Sequence, residues 1–366
     1  MQRLSKAQIA AIRTIDDFES LAMQYMSPAA YEYVAGGAGA DQTVLRNRTA
    51  FNRISILPRM LQDVSRIDTR VTLFGQTLDF PILLAPTGYH KLVHAVGEMA
   101  TVEGANESGA VLVAAAFSTV SYQQMRSRST QSMWFQLYVQ KDRGFTKALV
   151  ERVLAAGCEA ICVTVDVPVN GPRDREMRAG FKLPPGMERA NLSMLGPAIA
   201  SGSHRPQGRN IYSATHAADV TWDDIDWLRS FIPKPLLVKG VIHPDDAAIA
   251  YNTGCDGVML SNHGGRSVDT VVSTIEALPR MVERLQDRIP VILDGGIRRG
   301  IDVFKALAQG AKAVMIGRPY MYGLAIGGSE GVSRVVEILR TELEMTMGLA
   351  GCSSLPEIKK DRLDYL

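Results

Sequence analysis

A short polar run near position 260 places a base close to a cation. Residues 261–266 read Ser-Asn-His-Gly-Gly-Arg, so that His263 lies three residues before Arg266. An imidazole can take a proton from a substrate near neutral pH, and a carboxylate such as Asp166 can orient the ring and stabilise its protonated form. A guanidinium holds an anion in forked geometry, so Arg266 would bind an anionic substrate beside the base. The pattern predicts a proton-transfer site that binds an anion.

A lysine closes another apolar run, at Lys239. An ammonium at the end of a buried strand is too costly to leave uncompensated, so we expect a partner with negative charge. A Schiff-base lysine, as in aldolase-type barrels, is the rival interpretation. The base–acid pair and a nearby phosphate site favour a bound redox cofactor instead.

Glycine and arginine follow the last two apolar runs of the sequence. The segments are Asp294-Gly295-Gly296, with Arg298 and Arg299 just beyond it, and Gly317-Arg318. Glycines let backbone N–H groups approach a phosphate, and arginines supply paired charge. These segments predict a phosphate site, while two ordinary glycine turns beside surface arginines are the structural alternative.

The elements that position these residues repeat along most of the chain. Apolar runs rich in Val, Ile and Leu alternate with helical segments, and several helices end in glycine. The runs are Phe80–Ala85, Ala110–Ala115, Met133–Val139, Ala160–Val165, Pro235–Val238, Gly257–Leu260, Pro290–Leu293 and Ala313–Ile316. The predicted helices are Glu98–Ser108, Thr146–Ala156, Asp245–Tyr251, Val271–Gln286 and Ile301–Ala308. Eight such units predict a (β/α)8 barrel, in which catalytic residues lie at the carboxyl ends of the strands.

The regular pattern is interrupted once and is flanked at both ends. More than fifty residues rich in Gly, Pro, Arg and Ser separate strands 4 and 5, from Asp166 to Thr221. A loop of that length is typical of an active-site cover, and a variable insertion is the alternative. We expect one domain over residues 1–366, divided into an N-terminal helical segment (1–78), the barrel (79–330), and a C-terminal helix and tail (331–366).

Composition and charge exclude several other classes of protein. The 366 residues are 46% hydrophobic and 21% charged, with 40 Lys and Arg against 38 Asp and Glu. No basic stripe suggests nucleic acid, and no apolar run reaches the ~20 residues of a membrane helix. The first residues lack the apolar core of a secretory signal. Four cysteines are too few for a disulfide framework, Cys158 and Cys162 are expected to be buried thiols rather than a metal site, and we expect a cytoplasmic protein.

Taken together, these motifs resemble the FMN-dependent α-hydroxy-acid oxidases and dehydrogenases. The resemblance extends over nearly the whole chain. It rests on the 261–266 run and on Tyr31-Glu32-Tyr33, Pro86-Thr87-Gly88, Gln136-Leu137-Tyr138, Thr164-Val165-Asp166, Lys239-Gly240, Asp294-Gly295-Gly296 and Gly317-Arg318-Pro319. It implies a flavoenzyme that oxidises an (S)-2-hydroxy acid to the 2-oxo acid, with FMN as cofactor.

The resemblance also implies a role for each matching residue. His263 would be the base and Asp166 its stabilising partner, while Arg266, Tyr33 and Arg173 would bind the substrate carboxylate and Tyr138 would contact the substrate near its hydroxyl. The residues implied for FMN are Pro86, Thr87, Gly88, Gln136, Thr164, Lys239, Ser261, Asp294, Gly295, Gly296, Arg298, Gly317 and Arg318. No metal is implied. Relatives form tetramers or octamers, so we expect a homo-oligomer.

The sequence departs from the family pattern beside the flavin position. Gly88 stands where many members have Ala, Ala115 where many have a hydroxyl residue, and Phe117 where glycolate-specific members have Trp. Tyr89 and His90 add bulk on the same side. These differences predict a substrate larger than glycolate, such as lactate or a mandelate-like acid.

The electron acceptor and the reaction class leave alternatives open. O2, giving hydrogen peroxide, is the predicted acceptor; a monooxygenase outcome and a quinone-linked dehydrogenase are the alternatives. An FMN-dependent isomerase or a nucleotide dehydrogenase of the same fold would share the phosphate elements but lack His263, Arg266, Tyr33 and Tyr138 as a set. A non-catalytic scaffold would have lost part of that set.

Overall fold

The computed structural model describes residues 4–195, 211–213 and 215–365, and its centre is a closed barrel of eight parallel strands. Twelve strands are numbered here in chain order. They are β1 Ile54–Ile56, β2 Val71–Leu73, β3 Gln76–Leu78, β4 Ile82–Leu84, β5 Leu112–Ala115, β6 Met133–Leu137, β7 Ile161–Thr164, β8 Leu236–Val241, β9 Gly257–Leu260, β10 Val291–Asp294, β11 Ala313–Ile316 and β12 Leu363–Tyr365. The barrel comprises β4 to β11 and confirms the predicted (β/α)8 fold.

Each barrel strand pairs in parallel with its neighbours in sequence, and β11 closes the ring against β4. The strands are buried on both faces, which is why they read as apolar runs without alternation. One set of side chains, such as Leu83, Trp134 and Ile292, fills the barrel interior, and the other packs under the helices. The parallel register of β7 and β8 places Thr164 beside Lys239 at the carboxyl end of the barrel.

The predicted strands are all present; β9 and β11 have the predicted bounds, and the other six have shifted ends. β8 extends three residues past the prediction, through Lys239 to Val241, and its register with β9 shifts at Gly240. A Cβ at Gly240 would lie 2.4 Å from the Cβ of Asp166, and φ there is +101°. Glycine at this position therefore lets the end of β8 approach Asp166 closely.

The helices between the strands agree with the predicted segments to within three residues. The helices are Lys6–Ala11, Ile15–Tyr25, Pro28–Ala35, Gln42–Thr49, Glu98–Ser108, Tyr122–Arg126, Arg143–Ala155, Asp174–Arg178, Trp222–Phe231, Pro244–Asn252, Thr274–Leu285, Gly300–Ala308 and Arg318–Ala350. The last is kinked at Gly328, where φ is 59°, close to the predicted boundary at residue 330.

The N-terminal segment contains more than the predicted helices, because β1, β2 and β3 also lie in it. β1 pairs with β12 of the tail, which ties the two ends of the described chain together. The β2–β3 hairpin packs against the barrel interior, and the ring of Phe74 lies 5.6 Å from that of Trp134. The amino-terminal end of the barrel is thus closed by side chains.

The long segment between β7 and β8 was predicted to run from Asp166 to Thr221. Residues 196–210 and 214 of it lie outside the described residues. The described part pairs with the barrel rim, since Ala190 donates to the Ser118 carbonyl at 3.0 Å and Ala217 to the Val139 carbonyl at 2.9 Å. The described part of the segment therefore packs over the carboxyl ends of β5 and β6.

Two further expectations concern the whole chain. The four cysteines are buried with free thiols, as predicted for Cys158 and Cys162. Over the described ranges, no helix combines the length and the apolar character that crossing a bilayer requires.

Candidate active site

His263 and Asp166 meet at the carboxyl end of the barrel. Nδ1 of His263 lies 2.8 Å from Oδ1 of Asp166, across 97 residues of sequence. The backbone N–H of His263 donates to the Ser261 hydroxyl at 3.0 Å, and φ of His263 is +56°. The turn after β9 thus holds the imidazole in a conformation that L-residues seldom adopt, which is a common feature of functional sites.

The protonation states of this pair suit a resting base. Burial lowers the pKa of His263, and the adjacent Asp166 carboxylate offsets part of that effect. Burial alone would raise the pKa of Asp166, but the charge of His263 and its hydrogen bond outweigh it, so the pKa lies below its ordinary value. The geometry therefore favours a neutral imidazole whose Nδ1–H donates to an ionised carboxylate, which leaves Nε2 as the base.

Lys239 is 4% exposed and lies in a cluster of polar strand ends. Its ammonium is 3.2 Å from Oδ2 of Asp294 and 2.9 Å from the Ser261 hydroxyl. Burial would lower the pKa of Lys239, but Asp294 and Asp166 outweigh burial and raise it. The lysine is therefore charged and has the anionic partner that the sequence predicted. A Schiff-base nucleophile would have to be neutral, so this result argues against the rival interpretation.

Two arginines, Arg266 and Arg173, cluster near the base, and the charge of Arg173 acts on His263. Arg266 donates to the backbone carbonyls of Tyr33 and Gly36, and its guanidinium lies 5.0 Å from the centre of the Tyr33 ring. Arg173 donates from Nε to the Arg266 carbonyl at 3.4 Å. Burial and the positive charge of Arg173 lower the pKa of Arg266 to about 9. Two clustered cations need an anion, and a substrate carboxylate would supply it.

Glu176 is the carboxylate that the structure places between these arginines. It is 4% exposed, with Oε2 3.6 Å from Arg173 and 3.8 Å from Arg266. One carboxylate against two guanidinium groups leaves a net positive charge in this part of the site. Tyr33 stays protonated beside it, because burial raises the pKa of its phenol to about 12.

Tyr138 and Phe117 form an aromatic wall next to the base. Their ring centres are 5.1 Å apart, and burial, followed by the charge of Asp166, raises the pKa of Tyr138. A Cβ at Gly88 would lie 3.3 Å from the Cβ of Phe117 and 3.6 Å from the Tyr33 hydroxyl. The space beside Gly88 is therefore narrow, and one methyl group would nearly fill it.

Several buried polar atoms at the strand ends lack a partner among the described residues. They are Nε2 of Gln136, Oγ1 of Thr164 and Oδ1 of Asp294. Orphaned donors and acceptors of this kind are costly unless a ligand satisfies them. A polar, planar ring system with amide-like groups fits this set, and the charged Lys239 fits an electron-accepting ring that becomes anionic. The residues therefore fit FMN.

The region predicted to bind phosphate offers fewer unoccupied hydrogen-bond donors than the sequence suggests. Arg318 donates to three backbone carbonyls, at Val34, Gly36 and Gly264, with distances of 2.8–3.0 Å. A Cβ at Gly296 would lie 2.0 Å from the Asn47 carbonyl oxygen, so this glycine has a packing cause of its own. Arg298 is buried; its Nε lies 3.7 Å from a carboxylate oxygen of Glu19 without a hydrogen bond to the described residues, and its Nη1 donates to the Ile297 carbonyl. Arg298 therefore keeps N–H groups that a phosphate could use, whereas the guanidinium of Arg318 is occupied by backbone carbonyls.

The side chains of Thr87 and Arg299 contact groups outside the active site, and Pro86 is connected with the site only through its backbone. The Thr87 hydroxyl contacts Tyr320 and lies 2.8 Å from Nε2 of His90, so it belongs to a buried network behind the wall. Arg299 faces Glu342 at 3.5 Å and is half-exposed. For Pro86, only its backbone position at the end of β4 connects it with the site. Among these, Thr87 and Pro86 can reach a cofactor through the backbone alone.

Four residues of the site were missed in the sequence and come from the long segment: Glu176, Phe181, Arg189 and His216. Phe181 stacks on Tyr33 with ring centres 4.6 Å apart, and His216 stacks on Tyr138 at 5.1 Å. Phe181, Arg189 and His216 lie in irregular chain, and Glu176 lies in a helix of only five residues, Asp174–Arg178. Neither shows a hydrophobic period, so no pattern distinguished these residues from their neighbours.

The carboxyl end of the barrel combines three features: a His–Asp pair, two arginines that could bind a carboxylate, and polar groups suited to a flavin. This combination is typical of a flavin-dependent oxidoreductase that acts on hydroxy acids. The model of a protein family described as FMN-dependent dehydrogenase matches residues 22–365. The chain therefore belongs to the FMN-dependent dehydrogenase family, and FMN is its cofactor, as predicted.

Individual relatives agree with this assignment. An L-lactate oxidase from Nostoc sp. is 44% identical over 347 residues, which are 93% of this chain and 95% of the relative. A glycolate oxidase from Oryza sativa subsp. indica is 40% identical over 96% of both chains. A solved structure of a mandelate oxidase with (S)-4-hydroxymandelic acid superposes with a TM-score of 0.90 at 36% identity, covering 96% of this chain and 98% of that one.

Proposed function

We propose that this enzyme oxidises an (S)-2-hydroxy acid to the 2-oxo acid, with O2 as the final acceptor and hydrogen peroxide as the second product. The observation that carries the proposal is the 2.8 Å His263–Asp166 pair at the same end of the barrel as the half-buried arginines Arg266 and Arg173. A base beside an anion clamp is what removal of a proton from a 2-hydroxy acid requires. The names of the similar oxidases support the same reaction and acceptor.

In this proposal the substrate carboxylate binds between Arg266, Arg173 and the Tyr33 hydroxyl. Nε2 of His263 takes the proton, and Asp166 stabilises the imidazolium that forms. Tyr138, whose phenol stays protonated, donates a hydrogen bond near the substrate hydroxyl. Each of these groups is held by packing or by a second hydrogen bond, so little reorganisation is needed when the substrate binds.

When bound, FMN supplies the acceptor for the two electrons that leave the substrate carbon. We assign Gln136, Thr164 and Ser261 to the ring system, Lys239 to its developing negative charge, and Asp294 through Arg298 with Gly317 and Arg318 to the ribityl and phosphate groups. The backbone of Pro86, Thr87 and Gly88 would border the ring. The buried atoms without partners in Gln136, Thr164 and Asp294 support this assignment.

The substrate is proposed to be larger than glycolate, with lactate and mandelate-like acids among those oxidised. Phe117 in place of a larger aromatic residue supports this, and so do the names of two similar proteins, the L-lactate oxidase and the mandelate oxidase, although the glycolate oxidase is a relative as well. We also propose a single domain over residues 1–366, a cytoplasmic location, and a homotetramer or homo-octamer, all on the family resemblance.

The test is an anaerobic screen of the FMN-loaded protein against glycolate, lactate, mandelate and long-chain 2-hydroxy acids. Loss of the yellow flavin absorbance with one (S)-enantiomer, followed by recovery and peroxide release in air, is the expected result. Reduction by none of them would refute the proposal. Reduction without peroxide, and with a decarboxylated product, would indicate a monooxygenase instead.

A further inference from the structure

Polar groups that the reaction does not use lie against the aromatic wall, where Arg189 and His216 contact the rings of Phe117 and Tyr138. With the substrate carboxylate at Arg266 and its hydroxyl at His263, the side chain of a tetrahedral carbon points away from both, toward Phe117 and Tyr89. The rings of Phe117 and Tyr89 stack with centres 6.2 Å apart. We call the space bordered by Phe117, Tyr89, Arg189 and His216 the side-chain subsite.

Arg189 brings a positive charge to this subsite. Its guanidinium carbon lies 4.2 Å from the centre of the Phe117 ring, and its Nε donates to the Tyr89 hydroxyl at 2.5 Å. That bond uses one of the five N–H groups of a guanidinium, and the remaining fork matches a carboxylate.

The position of Arg189 is fixed by its neighbours in sequence. Ala190 donates to the Ser118 carbonyl at 3.0 Å. Asn191 is buried, and its side-chain oxygen accepts from the backbone of Tyr122 at 2.8 Å. The cation is therefore held over the subsite by a docked turn instead of reaching it from a free loop.

His216 adds a second polar group to the same subsite. It is 7% exposed, its ring centre is 6.4 Å from that of Phe117, and its backbone partner is Val167, whose contact falls outside the geometry of a full hydrogen bond. Backbone pairing fixes the position of this residue, since Lys141 donates to the Thr215 carbonyl and Ala217 to that of Val139. Burial, followed by the charge of Arg189, lowers the pKa of His216 to about 4, so the imidazole is neutral and keeps one N–H donor.

We propose that the side-chain subsite binds a second carboxylate, so that the preferred substrate is a 2-hydroxy dicarboxylic acid. This inference rests on the proposed function and names the substrate class of the same site. A carboxylate would satisfy both the open fork of Arg189 and an N–H of His216. Lactate or an unsubstituted aryl acid would still be oxidised, but would offer no anion to the half-buried Arg189 or to the buried His216, and a site built to bind such a group discriminates against a substrate that lacks it.

The experiment compares anaerobic flavin reduction by (S)-malate and (S)-2-hydroxyglutarate with reduction by (S)-lactate and (S)-2-hydroxybutyrate. We expect kcat/KM for the better dicarboxylate to exceed that for the better monocarboxylate by about 100-fold, the magnitude of a charge-assisted hydrogen bond. Arg189→Met should remove most of this ratio, and His216→Phe, which keeps the ring stacking, should reduce it about 10-fold.

Arg126→Met is the matched control, because Arg126 faces Glu159 at the opposite end of the barrel and should leave the ratio unchanged. Binding of succinate and butyrate, read from the flavin difference spectrum, gives the same comparison without turnover. Succinate should bind more tightly than butyrate only while Arg189 is present.

A parent ratio near one, or a ratio that survives Arg189→Met, would overturn the inference while leaving the proposed function in place. Reduction by none of the four acids would instead refute both. Reduction by lactate thus distinguishes a failure of this inference from a failure of the proposed function.

Discussion

Replacement of Asp166 by Asn tests the centre of the proposed mechanism. The carboxylate accepts from His263 at 2.8 Å, and its other oxygen has no hydrogen-bond partner among the described residues. An amide of the same shape keeps the packing but removes the charge. It can also present its NH2 group to Nδ1, which would favour the tautomer with the proton on Nε2 and so block the base.

The magnitude follows from the distance and the burial of the pair. Two unit charges about 4 Å apart at an effective dielectric constant of about 20 attract by roughly 4 kcal/mol. If the imidazolium is fully formed in the transition state, losing this attraction slows flavin reduction by about 10³-fold. Because Asp166 raises the pKa of His263, its removal lowers that pKa further. The acid limb of the pH–rate profile should therefore move to lower pH while the plateau rate falls.

Stopped-flow flavin reduction under anaerobic conditions, measured across pH, gives both quantities. Asp256→Asn is the control, since Asp256 binds Arg229 at 2.8 Å at the amino-terminal end of β9 and should leave the acid limb in place. A plateau within threefold of the parent, or an acid limb that moves to higher pH, would refute the assignment of Asp166 as the partner of the base.

Three further predictions concern the base, the wall and the buried lysine. His263→Ala should keep FMN but lose anaerobic reduction by every 2-hydroxy acid; reduction at the parent rate would remove His263 from the mechanism. Gly88→Ala places a methyl group 3.3 Å from the Cβ of Phe117 and should change the ratio of peroxide to 2-oxo acid, whereas an unchanged ratio and reoxidation rate would show that this space has no role. Lys239→Met leaves Asp294 buried without its cation and should lower the free energy of unfolding by about 3–5 kcal/mol, measured by urea denaturation with saturating FMN. A loss below about 1 kcal/mol would contradict the importance of this ion pair.

The barrel itself could be predicted because its signal is local. Parallel strands buried on both faces must be apolar along their whole length, so each strand is a contiguous run in the sequence. The structure of the strand does not require a polar residue at the end of such a run. Polar residues at these positions were therefore predicted to be functional, and they are Lys239, Ser261, His263 and Asp294. Their placement at one end of the barrel follows from the fold alone.

The contacts between these residues and the rest of the site were decided by the tertiary structure. His263 meets Asp166 across 97 positions, and Arg266 meets the backbone of Tyr33 across 233. The sequence names the groups but not their distances, which depend on how the barrel closes and where the N-terminal segment docks. Arg318 illustrates the difference, since its guanidinium binds backbone carbonyls that no spacing rule connects with it.

The sequence by itself determined the architecture, the cofactor class and the identity of the acid–base pair. Only the folded chain revealed Glu176 between the arginines, and Arg189 and His216 over the side-chain subsite. The physical reason is that a long strand or helix imposes a period on its residues, whereas irregular chain, or a helix of five residues such as the one that holds Glu176, shows none. The residues of such a segment acquire a function only from the surface against which the segment packs.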